Sequence, residues 1–321
     1  MIWLFILTFL VSCLVLFWSG SRLVTVLMRI GRFLGWREFV VAFFVMAIAG
    51  NLPNLFVGVN AAIHNIPQLS FGEVVGGNLV DLTLAVALAV LIGGVSLPAA
   101  SRLIQTTTLF TVAIAILPLV LILDGHLGRG DGLVLISVFI FYVFWLFSRE
   151  ERFSKRYSNQ KKEKKIIKEA KNFFKDLGLI VLSLFLLLMA SQGIVKSAQG
   201  FSEALNLSLP LVGMLIVGVG NALPETYFAI ASARKRQTWM ILGNLMGSII
   251  SCATLVLGIV VLIRPIEIAN FSPFAIARIF LIASAFFFLI VVRSGQRITK
   301  KEAVFLLLVY FLFLAAEIFL K

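Results

Sequence analysis

Cysteine is nearly absent. The two present, Cys13 and Cys252, both fall in long apolar runs, so no disulfide framework is available. Histidine is as scarce: His64 and His126 fall in expected surface loops with no partner at metal-ligand spacing. Charged residues make up only 13% of the chain, about half the usual share. What hydrophilic sequence there is leaves little room for a soluble catalytic domain. No nucleophile–base pair stands out, so an enzyme is not expected. Clustered Asp and Glu of the EF-hand kind are missing as well, which excludes a regulatory calcium module of that type. Residues 10–13, Leu-Val-Ser-Cys, have the look of a lipidation box, but Lys and Arg are lacking ahead of them. An export signal needs that basic region, and a buried cysteine in a first membrane helix is the expectation.

In place of these features, 60% of the residues are hydrophobic and the mean hydropathy is +1.05. Apolar runs long enough to cross a bilayer recur from end to end. Spans are expected near residues 2–18, 39–59, 74–95, 103–123 and 133–147, and again near 177–195, 209–232, 239–263, 274–292 and 303–320. This is an all-α polytopic membrane protein of about ten transmembrane helices. Its expected organisation is a first five-helix repeat (1–148), a basic linker (149–176) and a second five-helix repeat (177–321).

The net charge of +13 is explained by position. In a ten-span layout, 23 of the 28 basic residues fall on one side, eleven of them between Arg149 and Lys175. That is the positive-inside bias, so the linker is expected in the cytoplasm and both termini outside. The basic surplus is topological, with anionic lipid and not nucleic acid as its partner. Five spans per half also require the second half to enter from the opposite side. The halves are then inverted repeats, an arrangement suited to alternating access.

The repeat is visible in the residues. Asn51-Leu52-Pro53-Asn54 returns 171 positions later as Ala222-Leu223-Pro224-Glu225, and the same offset links Gly72 to Gly243, Gly76 to Gly247 and Asp81 to Cys252. Proline removes a helical donor and frees carbonyls, and nearby glycines let the backbone unwind or let a second helix approach closely. Polar residues at such places in apolar sequence are costly unless they line a cavity or bind something. Freed carbonyls with Asn, Ser and carboxylate oxygens suit a hard cation. Asn78 and Asp81, at i and i+3, share a helix face. If the repeats pack face to face, Asn54, Asp81, Glu225 and Cys252 converge near the midplane.

These paired motifs resemble the two repeats of the calcium/cation antiporter superfamily, which includes the sodium/calcium exchangers. Leu223-Pro224-Glu225 and Gly243-Asn244-Leu245-Met246-Gly247-Ser248 match the second repeat closely, and Leu52-Pro53, Gly72, Gly76, Asn78 and Asp81 match the first. The resemblance implies a secondary antiporter that exchanges Ca²⁺ or a related cation against Na⁺ or H⁺. It places the central cation sites at Asn54, Asp81, Glu225 and Cys252, with Asn78, Ser248 and main-chain oxygens completing the shell. The cations are substrates, and no cofactor is expected. The chain departs from the pattern at Asn54, Cys252 and Ile249. Two carboxylates, Asp81 and Glu225, still suffice for one Ca²⁺ but leave less charge for several Na⁺ bound together, which favours H⁺ as counter-ion. A thiol is a poor ligand for these hard ions. The same departures motivate an alternative, a degenerate member without exchange that serves as a membrane cation sensor or scaffold. The compact size suggests a prokaryotic plasma membrane.

Three charged residues have other expected places. Glu73 begins the third span near the outer surface, where it either draws cations into a vestibule or is simply solvated. Arg278 is expected to snorkel outward. Glu317 is expected to pair with Lys321 at the interface.

Overall fold

The computed structural model describes residues 2–33, 50–148, 166–268 and 272–319. Counting helices that run through a π turn as continuous, ten are present among them. The first half contributes α1 (Ile2–Phe33), α2 (Leu52–Ile63), α3 (Pro67–Gly93), α4 (Arg102–Leu121) and α5 (Arg129–Ser148). The second contributes α6 (Ile166–Leu205), α7 (Leu209–Arg234), α8 (Trp239–Ser251, continuing through Leu257–Ile263), α9 (Ser272–Ser294) and α10 (Lys300–Phe319). Nine of these are long and apolar enough to cross a membrane. The described part of α2 is 12 residues, and the rest of the second expected span (39–49) lies outside the described residues, as do 149–165 of the linker and Lys321.

Inverted duplication is written into the backbone. Asn65 and Arg236, 171 apart, both take left-handed φ (61° and 59°) just after α2 and α7. Gly125 and Gln296, also 171 apart, do the same at 91° and 50°. Two short ribbons make the inversion plain. β1 (Leu97–Pro98) pairs with β4 (Arg297–Ile298), and β2 (His126–Leu127) pairs with β3 (Ile266–Glu267). Helix α4 separates β1 from β2 in the chain, and α9 separates β3 from β4, so the ribbons lie at opposite ends of the helical bundle. Each one clasps the first half to the second.

Helices α1 and α6 pack along one another over much of their length. Gly193 and Gly200 allow this closeness: an added Cβ would lie 2.1 Å from Ser12 Oγ and 2.6 Å from the Phe5 ring. Cys13 lies within this pair, mid-helix in α1 and buried, as the membrane-helix reading expects. Asp176, on α6 and buried, is bound by Arg29 of α1 at 2.8 Å. The outer faces of α1 carry Trp3, Leu4, Leu7 and Leu14, exposed as lipid contact requires.

The remaining eight helices enclose the main core, with α3, α7 and α8 innermost. Between α3 and α7 the backbones touch. A Cβ added at Gly72 would lie 2.0 Å from the Pro210 carbonyl oxygen, and one at Gly76 would lie 2.1 Å from that of Met214. The small-residue spacing seen in the sequence therefore serves helix packing in the first repeat. Around their counterparts Gly243 and Gly247, no described atom lies within 4 Å; the segment that the repeat places opposite them, near residues 39–43, lies outside the described residues.

Candidate cation site

The polar motifs meet where α2, α3, α7 and α8 converge. The sequence expects the helices to unwind at the two prolines, and the structure does something else. Pro53 sits in the first turn of α2, where a missing N–H costs nothing. Pro224 sits inside α7, which continues past it unbroken. The irregularity comes instead as π turns at Asp81–Ala85 and Cys252–Val256, again 171 apart, with a third at Gly213–Val217 in α7 ahead of its motif. Such one-turn insertions re-aim side chains and recur at functional sites. Thr83 and Thr254 bond back in the same way in the paired turns, their hydroxyls donating at 2.5 Å to the Leu79 and Ile250 carbonyls. Each of the two paired π turns thus begins with the residue that ends a repeat motif.

All six residues singled out in the sequence, Asn54, Asn78, Asp81, Glu225, Ser248 and Cys252, line one small cavity with about 20 Å³ of free space, room for about one water-sized sphere. Pseudo-symmetry sorts them into two unlike halves. On one side Asn54 Nδ2 donates to Cys252 Sγ at 3.0 Å, and Cys252 Sγ lies 3.3 Å from Asn51 Oδ1. On the other, Asp81 and Glu225 are close enough for their charges to repel. Ser248 connects the halves: its Oγ is 3.1 Å from Asn51 Oδ1 and also within hydrogen-bonding reach of Asp81. The two neutral substitutions therefore touch each other, and the two surviving carboxylates lie within reach of each other's charge and of Cys252. Asp81 Oδ1 and Glu225 Oε2 are buried and have no hydrogen-bond partner. Among the described residues no three His, Cys, Asp or Glu side chains sit close enough to form a metal site by themselves. A bound cation would need Asn, Ser and main-chain oxygens besides.

Two lining residues escaped the sequence reading. Glu73 is 3% exposed, and Asn221 Nδ2 donates to its Oε1 at 2.5 Å. The expected interfacial glutamate is thus buried in the site, because the close α3–α7 packing draws this turn of α3 inside. Asn221 immediately precedes the second proline motif, and its spacing of four before Glu225 was the available signal. Arg278 is half-buried and donates to the Leu119 carbonyl at 3.0 Å, near the end of α4 where helical donors run out. Glu317 is buried, and its expected partner Lys321 lies outside the described residues. His64 and His126 are exposed, as read.

A wider, open cavity of about 420 Å³ shares Asn54, Asn221 and Glu225 with the site. It runs between α1 and α7 to Lys235 and Gln237, at the end of the bundle that carries the basic turns.

Both halves of this architecture match, separately, the sodium/calcium exchanger protein family, over residues 4–148 and 175–319. The chain belongs to that family. The inner membrane protein YrbG of Escherichia coli K12 is 23% identical over 270 residues, 84% of this exchanger-family chain and 82% of YrbG. The sodium/calcium exchanger MaX1 of Methanosarcina acetivorans is 32% identical over 142 residues, 44% of this chain and 40% of MaX1. In fold, the chain superposes on the sodium-calcium exchanger NCX_Mj soaked with Na⁺ and Sr²⁺ with a TM-score of 0.67 at 23% identity, covering 98% of this chain and 99% of that one.

Proposed function

We propose that this family member is a secondary antiporter that exchanges a divalent cation, Ca²⁺ or a close relative, against Na⁺ or H⁺ by alternating access. Asp81 and Glu225 are its central charged ligands. Asn78, Ser248 and main-chain oxygens complete the shell, and Asn54 and Cys252 form its neutral wall. One observation carries the reading: two carboxylates are buried within reach of each other's charge, each with an unpartnered oxygen, in a cavity that, among the described residues, is lined by no Lys, Arg or His. A charge held at membrane depth costs on the order of 3 kcal/mol or more. The pair is therefore costly when empty and is relieved by a cation. Because the empty, doubly charged site resists passage through the closed state, the carrier crosses loaded, which couples the two fluxes.

Access follows from the same geometry. The wide cavity gives a path from the site to the end that carries Lys235, while the backbone contacts of Gly72 and Gly76 close α3 against α7. Under the positive-inside bias that end is cytoplasmic, the termini are outside, and the membrane is a prokaryotic plasma membrane. Inverted repeats let the mirror-image arrangement open the other side. The family membership, and the exchanger names of MaX1 and NCX_Mj, support cation antiport.

The test is uptake of radiolabelled Ca²⁺ into vesicles holding the purified protein, under imposed Na⁺ or H⁺ gradients. Gradient-driven uptake that disappears in Glu225→Gln and Asp81→Asn is the expected result, and the driving gradient names the counter-ion. Normal transport in both variants would contradict the ligand assignment. A folded protein with no uptake of any cation under any gradient would favour the sensor or scaffold reading.

A further inference from the structure

The charge count of the cavity does not stop at Asp81 and Glu225. Glu73 lines the same cavity, 3% exposed, with Oε1 held by Asn221 and Oε2 buried without a partner. Among the described residues, the titratable groups near it are Asp81 on its own helix, Glu225 on α7, Cys252 on α8 and Cys13 on α1. None of them brings a positive charge. Three carboxylates therefore share a space in which a divalent cation balances only two. An uncompensated carboxylate in such a place is strongly unfavourable. The remaining charge has a location, because the acidic pair takes the divalent ion and the neutral Asn54–Cys252 wall offers no anionic oxygen.

We propose that Glu73 is a third charged ligand of the site and that its free Oε2 holds a monovalent cation alongside the divalent one. The charge missing at positions 54 and 252 is in effect relocated to α3. Asn221, four residues before Glu225 on α7, fixes Glu73 by its Oε1, which leaves Oε2 for the ion. This inference rests on the antiporter reading, since it takes Asp81 and Glu225 as the divalent ligands.

The test is equilibrium dialysis of the full-length purified protein in saturating Ca²⁺ with radiolabelled Na⁺. The wild type is expected to retain one Na⁺ per chain beyond Glu73→Gln. Glu73→Asp, which keeps the charge, is expected to restore it. Asn221→Ala leaves the carboxylate intact and removes its orienting partner. It is expected to weaken retention about tenfold, the worth of one hydrogen bond to a charged group, which keeps the test decisive if Glu73→Gln does not fold. Equal monovalent content in wild type and Glu73→Gln, or unchanged retention in Asn221→Ala, would overturn the role of Glu73 alone. A wild type that binds no Ca²⁺ would overturn the antiporter reading, and this inference with it.

Discussion

At the scale of single residues, the distribution of charge within the site governs everything else. The repeat symmetry pairs Asn54 with Glu225 and Asp81 with Cys252, but the fold brings Asn54 against Cys252 and Asp81 against Glu225. Substitutions that look scattered along the chain thus neutralise one side of the cavity and leave the other acidic. Ligand charge is a main control on hard-cation affinity. Asn54→Glu, which returns a carboxylate to the neutral side, is therefore expected to tighten Ca²⁺ binding in calorimetry. Unchanged affinity would mean that this side does not face the ion. The six candidate residues were legible in the sequence because polar groups in apolar surroundings are conspicuous. Glu73 was not, because its distance from the end of a span suggests an interface, and only the packing of α3 on α7 shows that it is buried. The reason is general: hydropathy gives depth along a helix and not which way a side chain faces.

At the scale of elements, close helix approach and irregular turns shape the site. A methyl group at Gly76 would meet the Met214 backbone at 2.1 Å, whereas no described atom lies within 4 Å of a Cβ added at Gly178, an exposed position in α6. Gly76→Ala is accordingly expected to lower the melting temperature in detergent, since overpacking costs about 1–3 kcal/mol. Gly178→Ala is expected to raise it slightly, through a helix-propensity gain of at most about 1 kcal/mol. Equal responses would contradict the contact between α3 and α7. The pair Arg29–Asp176 makes an unequal prediction too. Asp176 is 4% exposed and Arg29 55%, so Arg29→Met strands a buried carboxylate while Asp176→Asn frees an arginine that already reaches water. The first is expected to cost about 3 kcal/mol and the second about 1 kcal/mol, measured by denaturation in detergent. The sequence located the motifs but not the π turns, because proline is a visible breaker while a π turn depends on how neighbouring helices and Thr83 or Thr254 satisfy freed carbonyls.

At the scale of the whole molecule, inversion was readable from arithmetic alone: an odd number of spans per half and a constant offset of 171. The two ribbons that clasp one half to the other were not, since two-residue strands leave no periodic signature. On the alternating-access proposal, the wide cavity marks the open side of this conformation. Ser21 lines that cavity with Lys235 and Gln237. In Ser21→Cys with Cys13 and Cys252 replaced by serine, a membrane-impermeant maleimide is expected to label the cation-free protein from the cytoplasmic side. Labelling only from outside would reverse the orientation or the open face.

The most direct measurement of the central claim is the anomalous scattering of Sr²⁺ soaked into crystals of the protein as a stand-in for Ca²⁺. The account predicts one dominant peak between the Asp81 and Glu225 carboxylates, within reach of Ser248 and Asn78, that vanishes in Glu225→Gln. A peak seated between Asn54 and Cys252, or one that persists in the variant, would contradict it.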